Sequence, residues 1–592
     1  MLDLAAVTTY RQVGMGLEPG KRVAGAKACK ALLIYPRFDA DTFWNFKRTA
    51  EVFGAKYPAP PLGLITMAAL LPHSWSIRLV NRNTEELSDA DIDWADLVFT
   101  GGMLPQQNDT LDVVDLCHAR GKPVVVGGPG VTSSPHLYRT ADFRVIGEAE
   151  HIIDNFIAAW EAGVSEGQFE AEKFQTDVTK SPIPRFDLLK FNDYLHIGVQ
   201  FSRGCPFTCE FCDIIELYGR VPRAKTNAQM LAELDALYDL GYRGHVDFVD
   251  DNLIGNKKAV KAFLPELAKW LEAHDYPFAF TTEASINLAD DPELLRLLNR
   301  ANFVGVFVGI ESPNTATLMA MRKKQNTRRS IAESIHKLYA SGLFVTAGFI
   351  IGFDSETESV ADAMVELIEE AAIPVCMVGL LYALPNTQLT RRLEKEGRLH
   401  PPTTREDLKS ADQCTMGLNY ETLRPRREIL ADYVHVLDRI YQPAAFAGRL
   451  QRLAEMLDNS GRKQQVRPGH SQHSYGSLDV TRRLIANLPE PRALFRRALM
   501  KCISSNPDSI RSILGQMALY LHVGPYSRDV IGRLEIMMAE LETDAEPPMR
   551  VEPGARDMDS ERAAAAKADA GHQYVTPPPA AGRRAGRVRR GR

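Results

Sequence analysis

The sequence predicts an α/β protein in three parts: a doubly wound parallel sheet, a partial or complete (β/α) barrel, and a C-terminal helical region. Three observations carry this. Short apolar runs alternate with helical stretches over residues 30–164 and again over 196–400, without a hairpin signal. From 401 to 541 helical segments follow one another without strands. From 542 onward Ala, Pro, Gly and charge predominate, a composition expected to stay disordered.

Residues 1–29 read as an irregular arm. In the first part, ALLIYPRF (31–38), SIRLVNRN (76–83), DLVFTGG (96–102), PVVVGGPG (123–130) and ADFRVIGEAE (141–150) read as strands or strand ends. PLGLITMAALLP (61–72) and QNDTLDVVDLCHARG (107–121) read as the helices between them. Ligands of such sheets bind beyond the carboxyl ends of the strands. Those ends carry Tyr35-Pro36-Arg37, Gly101-Gly102-Met103, Gly127-Gly128-Pro129-Gly130 and Gly147-Glu148, small residues that let a flat ligand approach the backbone.

Residues 165–195 read as a linker. The barrel strands are expected at 196–205, 245–252, 278–285, 303–312, 345–353 and 375–385, with helices such as 228–241, 260–274 and 327–342 between them. Catalytic groups of such barrels gather at strand carboxyl ends. In the last part, 427–457, 480–488, 493–505, 509–523 and 530–542 carry helical periodicity.

A chain of 592 residues with 45% hydrophobic and 24% charged residues suits several soluble domains. The net charge of -5 argues against a general nucleic-acid-binding role. No run of about 18 uncharged apolar residues occurs, and the N-terminal stretch lacks a signal-peptide layout, so a cytoplasmic protein is expected. Eight cysteines are too few for a disulfide scaffold in so long a chain.

Three of those cysteines decide the chemistry. SRGCPFTCEFCD (202–213) places Cys205, Cys209 and Cys212 in a C-x3-C-x2-C pattern at the end of an expected strand. At this composition the pattern should arise by chance roughly 0.0015 times per chain. A [4Fe–4S] cluster held by three thiolates keeps one iron open to a small molecule. A zinc knuckle or three incidental buried cysteines are the alternatives.

The segment resembles the signature of the radical S-adenosylmethionine (SAM) enzymes. That resemblance implies a [4Fe–4S] cluster on the three cysteines, SAM chelated at the open iron, and reductive SAM cleavage to a hydrogen-abstracting radical. It places Phe211 near the adenine, and Asp250, Asp251, Asn252, Glu283, Ser285, Gly309 and Glu311 around SAM. Helix capping is the bland alternative for any one of the acidic residues.

The order of α/β domain, barrel and helical region resembles the cobalamin-dependent subclass of that family. This implies a Rossmann-like cobalamin-binding domain over 30–164, a radical SAM partial barrel over 196–400, a helical domain over 401–541 and a basic tail over 542–592. Gly101, Gly102, Met103, Gly127, Gly128, Pro129, Gly147 and Glu148 would then face cobalamin. The D-x-H-x-x-G pattern is absent; the loop after the first strand reads PRFDADTFWNF (36–46), so a histidine below cobalt is not expected.

PPLGLITMAALLP, GCPFTCEFCDIIELYGRVPRAKT and VDFVDDNLIGNKK are similar to segments of the hopanoid C-2 methylase branch of this subclass. The implied activity is methylation of an unactivated ring-A carbon of a hopanoid lipid. Another lipid, a tetrapyrrole or a natural product is the alternative substrate, and a non-catalytic cobalamin or redox sensor the alternative class. The implied partners are the lipid, and a reducing donor such as flavodoxin or ferredoxin; nucleic acid is not among them.

A hydrocarbon substrate asks for an apolar wall, and Met416, Met456, Met517, Met537 and Met538 are candidates against ordinary helix core. The basic tail (Arg583, Arg584, Arg587, Arg589, Arg590, Arg592) offers peripheral contact with the inner membrane face, against a simply solvated tail. None of the 14 histidines is assigned to catalysis, and His245 reads as structural. Cys29, Cys117, Cys376, Cys414 and Cys502 read as buried small hydrophobes.

Overall fold

The computed structural model describes residues 27–38, 42–401, 417–460, 478–489 and 491–543. The first sheet contains β1 (Lys30–Tyr35), β2 (Ser76–Asn81), β3 (Leu97–Thr100), β4 (Val124–Val126), β5 (Phe143–Ile146) and β6 (Gly167–Glu170), in the order β2-β1-β3-β4-β5-β6. Every pairing in it is parallel. Strand β6 falls within the expected linker. GQFE has too little apolar character to announce a strand, and its pairing with β5 forms it.

Both faces of this sheet are covered, as its unbroken apolar strands require. Leu32, Ile34, Val98, Val124 and Val126 pack on one face, with Val113 and Val114. Ala31, Leu33, Leu97, Phe99, Val125 and Phe143 pack on the other, with Phe156. Each such side chain contributes roughly 1.5–3 kcal/mol when fully buried.

The second sheet is a half-barrel. Strand β7 (His196–Val199) is followed by a two-residue ladder of β8 (Ser202–Arg203) with β9 (Arg223–Ala224). Then come β10 (Gly244–Phe248), β11 (Phe278–Glu283), β12 (Phe303–Glu311), β13 (Phe344–Ile351) and β14 (Val375–Leu380). The order β14-β13-β12-β11-β10-β7 is linear, so the barrel is open. The expected single strand 196–205 is interrupted because the chain turns at Gln200 into the β8–β9 ladder.

Both open edges are covered. On the β7 side, the amides of Leu195 and His196 donate to the carbonyls of Tyr57 and Pro58, both at 3.1 Å. On the β14 side, Tyr441 and Tyr433 of the helix Arg426–Tyr441 hydrogen-bond the free backbone edge. The Cys376 amide donates to the Tyr441 hydroxyl at 3.1 Å, and the Tyr433 hydroxyl donates to the Val378 carbonyl at 2.8 Å. Covering an edge removes a template for aberrant pairing.

The helices that position the site are α1 (Lys47–Phe53), α2 (Leu62–Leu70), α3 (Arg426–Tyr441), α4 (Pro443–Met456), α5 (Leu478–Asn487), α6 (Arg492–Ser505) and α7 (Ile510–Thr543). Helix α7 joins two segments that the sequence reads separately. It runs 34 residues through Gly524-Pro525. Pro525 removes the donor that the Leu521 carbonyl would otherwise meet, yet the helix continues through it.

Cys29, Cys117, Cys376 and Cys502 are buried as expected, and Met517 is fully buried core. Cys414, Met416 and the basic tail lie outside the described residues. No helix among the described residues is long and apolar enough to cross a membrane.

Candidate functional site

The ladder β8–β9 pinches off a loop, 204–222, that carries the three cysteines. Its hinge is Gly204, at φ +97°; a Cβ there would lie 2.9 Å from the Gly219 carbonyl oxygen, so only glycine fits. The Gly204 amide donates to Asp251 at 2.8 Å, and the Cys205 amide to the Gly219 carbonyl at 3.2 Å. Further along, the Glu210 amide donates to the Met321 carbonyl at 3.1 Å, and the Glu210 carboxylate accepts from Arg392 at 2.5 Å. The loop is thereby fastened to β10, to the segment after β12 and to the helix after β14.

Burial pushes all three thiols up, and repulsion among them acts in the same direction for Cys205 and Cys212. At Cys209 the Lys323 ammonium opposes it. Asn252 donates to the Cys205 sulfur at 3.8 Å and Gln325 to the Cys209 sulfur at 3.7 Å. Three neighbouring thiols, Cys209 buried and Cys205 and Cys212 half-buried, suit a cationic iron cluster. Among the described residues no three His, Cys, Asp or Glu side chains converge on one point as a mononuclear ion requires. Cubane thiolates bind separate irons and need no such point.

The residues expected around SAM divide. Asp250 is fully engaged in holding the loop root: it accepts from the amides of Phe201 (3.0 Å) and Ser202 (2.5 Å) and from the Ser202 hydroxyl (2.6 Å). Burial still pushes its carboxyl up to about 7. Asn252 bridges Cys205 and Ser285, and Ser285 in turn donates to Asn287 at 2.6 Å. Gly309 offers its carbonyl to Asn326 at 3.1 Å. Glu311, at φ +69° on a β-bulge, is ion-paired with Lys323. Phe211 meets Phe353 edge-on at 5.8 Å, with Lys323 5.9 Å from its ring. Beyond it opens a cavity of about 390 Å³ lined by Phe211, Met321, Phe353, Leu381 and Leu389.

Glu283 belongs to a different group. It stands at the end of β11 above a polar column in the half-barrel: His245 Nε2 and the Thr281 hydroxyl are 2.8 Å apart, and that hydroxyl donates to Asp247 at 2.6 Å. His196 lies alongside His245, ring centres 6.0 Å apart. Burial pulls both histidines down, His245 to about 4. Burial, then repulsion from Asp247, Asp251 and Asp250, pushes Glu283 up to about 8.

At the first sheet, the glycines do more than leave space. A Cβ at Gly101 would lie 1.9 Å from the Gly127 carbonyl oxygen, and the Gly130 amide donates to the Gly102 carbonyl at 3.0 Å. The β3 and β4 loops therefore close on each other, with Gly128 and Pro129 starting a short helix and Met103 left 45% exposed. Gly147 and Glu148 line a second cavity, of about 610 Å³, together with Gln107, Thr132, Tyr382 and Asn386. It lies between the first sheet and the barrel. The Gln107 side-chain Nε2 is buried beside it without a protein partner. Glu148 is ion-paired to Arg203 (2.9 Å) and Arg223 (2.8 Å), and Glu150 to Arg203 (2.6 Å).

The sequence reading missed four features. Lys323 and Gln325 follow the GIES segment by only a dozen residues, and RKKQ is the signal that was there to be read. Arg203 sits in SRGC itself. The fourth is an aromatic seat after β1: Trp44 lies 6.1 Å from Phe307 of β12, while His522 of α7 shares Nε2 between the Thr42 (3.1 Å) and Phe43 (3.0 Å) carbonyls. His522 is 480 residues from Thr42, so no local signal exists. Among the described residues, none of Met456, Met517, Met537 and Met538 lines either cavity.

The radical SAM superfamily pattern matches residues 199–368, and a domain of unknown function, DUF4070, matches 387–535. The chain is 36% identical over 435 residues to the hopanoid C-2 methylase of Rhodopseudomonas palustris, covering 72% of this chain and 80% of that one. It is 46% identical over 425 residues to an uncharacterized methyltransferase of Synechocystis, covering 72% and 78%. This chain belongs to the radical SAM methyltransferase family.

Solved structures agree on the fold of this methyltransferase. The cobalamin-dependent SAM radical enzyme OxsB superimposes with a TM-score of 0.53 at 15% identity, covering 88% of this chain and 84% of that one. The radical SAM methyltransferase TsrM of Kitasatospora setae gives 0.51 at 16%, covering 64% and 80%.

Proposed function

We propose that this methyltransferase methylates carbon 2 in ring A of a hopanoid lipid, with a [4Fe–4S] cluster on Cys205, Cys209 and Cys212, SAM in the half-barrel and cobalamin at the first sheet. The cysteine loop supports this most directly: three thiols held on one short loop, no fourth on that loop, and a cavity next to Phe211. Identity to the R. palustris methylase supports the substrate. Gln107 Nε2, buried at the interdomain cavity without a partner, suits a polar group of a bound cobalamin.

When bound, the cluster and SAM supply hydrogen abstraction, and cobalamin carries the methyl group. The protein's own work is placement. Asp250 and Asp251 hold the loop root, Asn252 and Gln325 direct N–H groups at cysteine sulfurs, and Lys323 supplies a buried cation for a carboxylate. Phe211 and Phe353 offer an apolar wall beside the cavity against which a flat ring can rest. Met103, Gly128 and Pro129 shape the cobalamin side, and Glu148 ties that side to the cysteine loop. The reducing electron comes from a donor of the flavodoxin or ferredoxin class.

Lipid mass spectrometry of a hopanoid-making host with and without this gene tests the substrate. A hopanoid heavier by one methylene, with the methyl on ring A, is expected. An unchanged profile with SAM cleavage retained leaves the chemistry and removes the substrate. Cys209→Ala separates enzyme from sensor, since an enzyme loses both brown colour and product. One observation favours a second substrate class: His196, His245, Asp247, Thr281 and Glu283 make part of the half-barrel polar, which suits a tetrapyrrole or another functionalised molecule better than a plain hydrocarbon.

A further inference from the structure

Helix α6 is divided lengthwise. Phe495, Ala498, Leu499 and Cys502 are buried. Arg496, Arg497, Met500, Lys501 and Ile503 are exposed, and at 100° per residue they share one arc of the helix. That arc holds three cations and no acid, and α6 has no acidic residue along its length. Met500 is 61% and Ile503 43% exposed. Lys501 pairs with Glu455 of α4 at 3.0 Å. Among the described residues neither Arg496 nor Arg497 has an acidic side chain at ion-pair distance. Neighbouring α5 adds exposed Arg482 and Arg483.

We propose that this arc of α6 docks on a bilayer containing anionic lipid. The charge is complementary to such a surface, and the two apolar tips sit among the cations, where they enter the boundary between headgroups and acyl chains. Nucleic acid would use the cations but not Met500 and Ile503, and the arc has no aromatic ring for stacking. The inner face of the helix leads toward the site. Phe495 packs on Tyr520 of α7 at 5.1 Å, and α7 carries His522, which holds Thr42 and Phe43 next to Trp44 and Phe307. A methylase docked by α6 would have its aromatic seat two helix layers from the lipid.

Co-sedimentation of the full chain with phosphatidylglycerol and with phosphatidylcholine vesicles tests this and needs neither cofactors nor hopanoid, so its outcome is separate from that of the substrate assignment. Binding to the anionic vesicles alone is expected, weakening as salt rises. At roughly fivefold per cation, Arg496→Gln with Arg497→Gln should weaken it about 25-fold, with unchanged circular dichroism. Met500→Ser with Ile503→Ser should also weaken it. Equal binding to both vesicle types overturns the proposal, as does full binding by the arginine variant, which would assign attachment to another basic segment. Preference for a DNA duplex, lost in the arginine variant but kept in the Met500/Ile503 variant, overturns it in favour of nucleic acid.

Discussion

Arg203, two residues before the first cysteine of the loop, is bound to Glu148 at the end of the first sheet at 2.9 Å. Glu150 accepts from the same guanidinium, which holds its carboxyl down at about 2 against burial. In Arg203→Gln the Glu150 carboxylate loses its cation and stays buried, while Glu148 keeps Arg223. Stability should fall by about 3 kcal/mol, the cost of orphaning a buried charge. Urea unfolding measures this, and iron content per chain should fall with it because the loop root loosens.

Gly204→Ala should be worse for the loop than for the fold. The new Cβ would meet the Gly219 carbonyl oxygen at 2.9 Å in a backbone conformation that alanine resists. Circular dichroism should stay near wild type while the brown absorption of a reconstituted cluster falls by more than half. Full cluster occupancy in this variant would show that the hinge is dispensable.

Lys323 and Glu311 form a buried pair, with Lys323 7% exposed. Removing either partner alone should cost about 3–5 kcal/mol, and replacing both with Met should cost less than the sum. A thermal-melt double-mutant cycle reads this. If Lys323 also meets the SAM carboxylate, Lys323→Gln should weaken SAM binding roughly tenfold, worth about 1.4 kcal/mol, while Glu311→Gln should not.

The pH dependence of stability should carry the signature of His522. Burial pulls its imidazole from 6.5 to about 4, so the folded chain keeps it neutral while the unfolded chain protonates it. The unfolded state therefore binds the extra proton between pH 6.5 and 4. Stability is full above 6.5 and falls as pH drops through that window, by about 3 kcal/mol. In His522→Gln the urea midpoint should change less over the same range.

Much of this was legible in the chain. Continuous apolar runs such as ALLIY and VVV read as strands buried on both faces, and the cysteine spacing read as a cluster loop. What could not be read was decided by distant partners. Strand β6 is made by pairing with β5, not by its own residues. The stretches 509–523 and 530–542 read as two helices, and a single helix runs through Pro525 instead. Glu148 reads as a ligand-facing carboxylate and lines the cavity at the first sheet, and Arg203 and Arg223, which flank the cysteine loop, also pair with it. His245 reads as structural and is indeed hydrogen-bonded, but its column with Thr281 and Asp247 becomes visible only when β10 and β11 lie side by side.

The aromatic seat has a consequence in time. Thr42 and Phe43 are held by His522, and Thr49 donates to the Ala518 carbonyl at 2.9 Å, so the first loop is completed by nearly the last helix. At about 5–20 residues per second, a ribosome needs roughly half a minute to a minute and a half to span the intervening 480 residues. During that interval the nascent first domain waits with Phe43 and Trp44 uncovered, a surface for chaperones. The seat around Trp44 and Phe307 is closed only once α7 has been made.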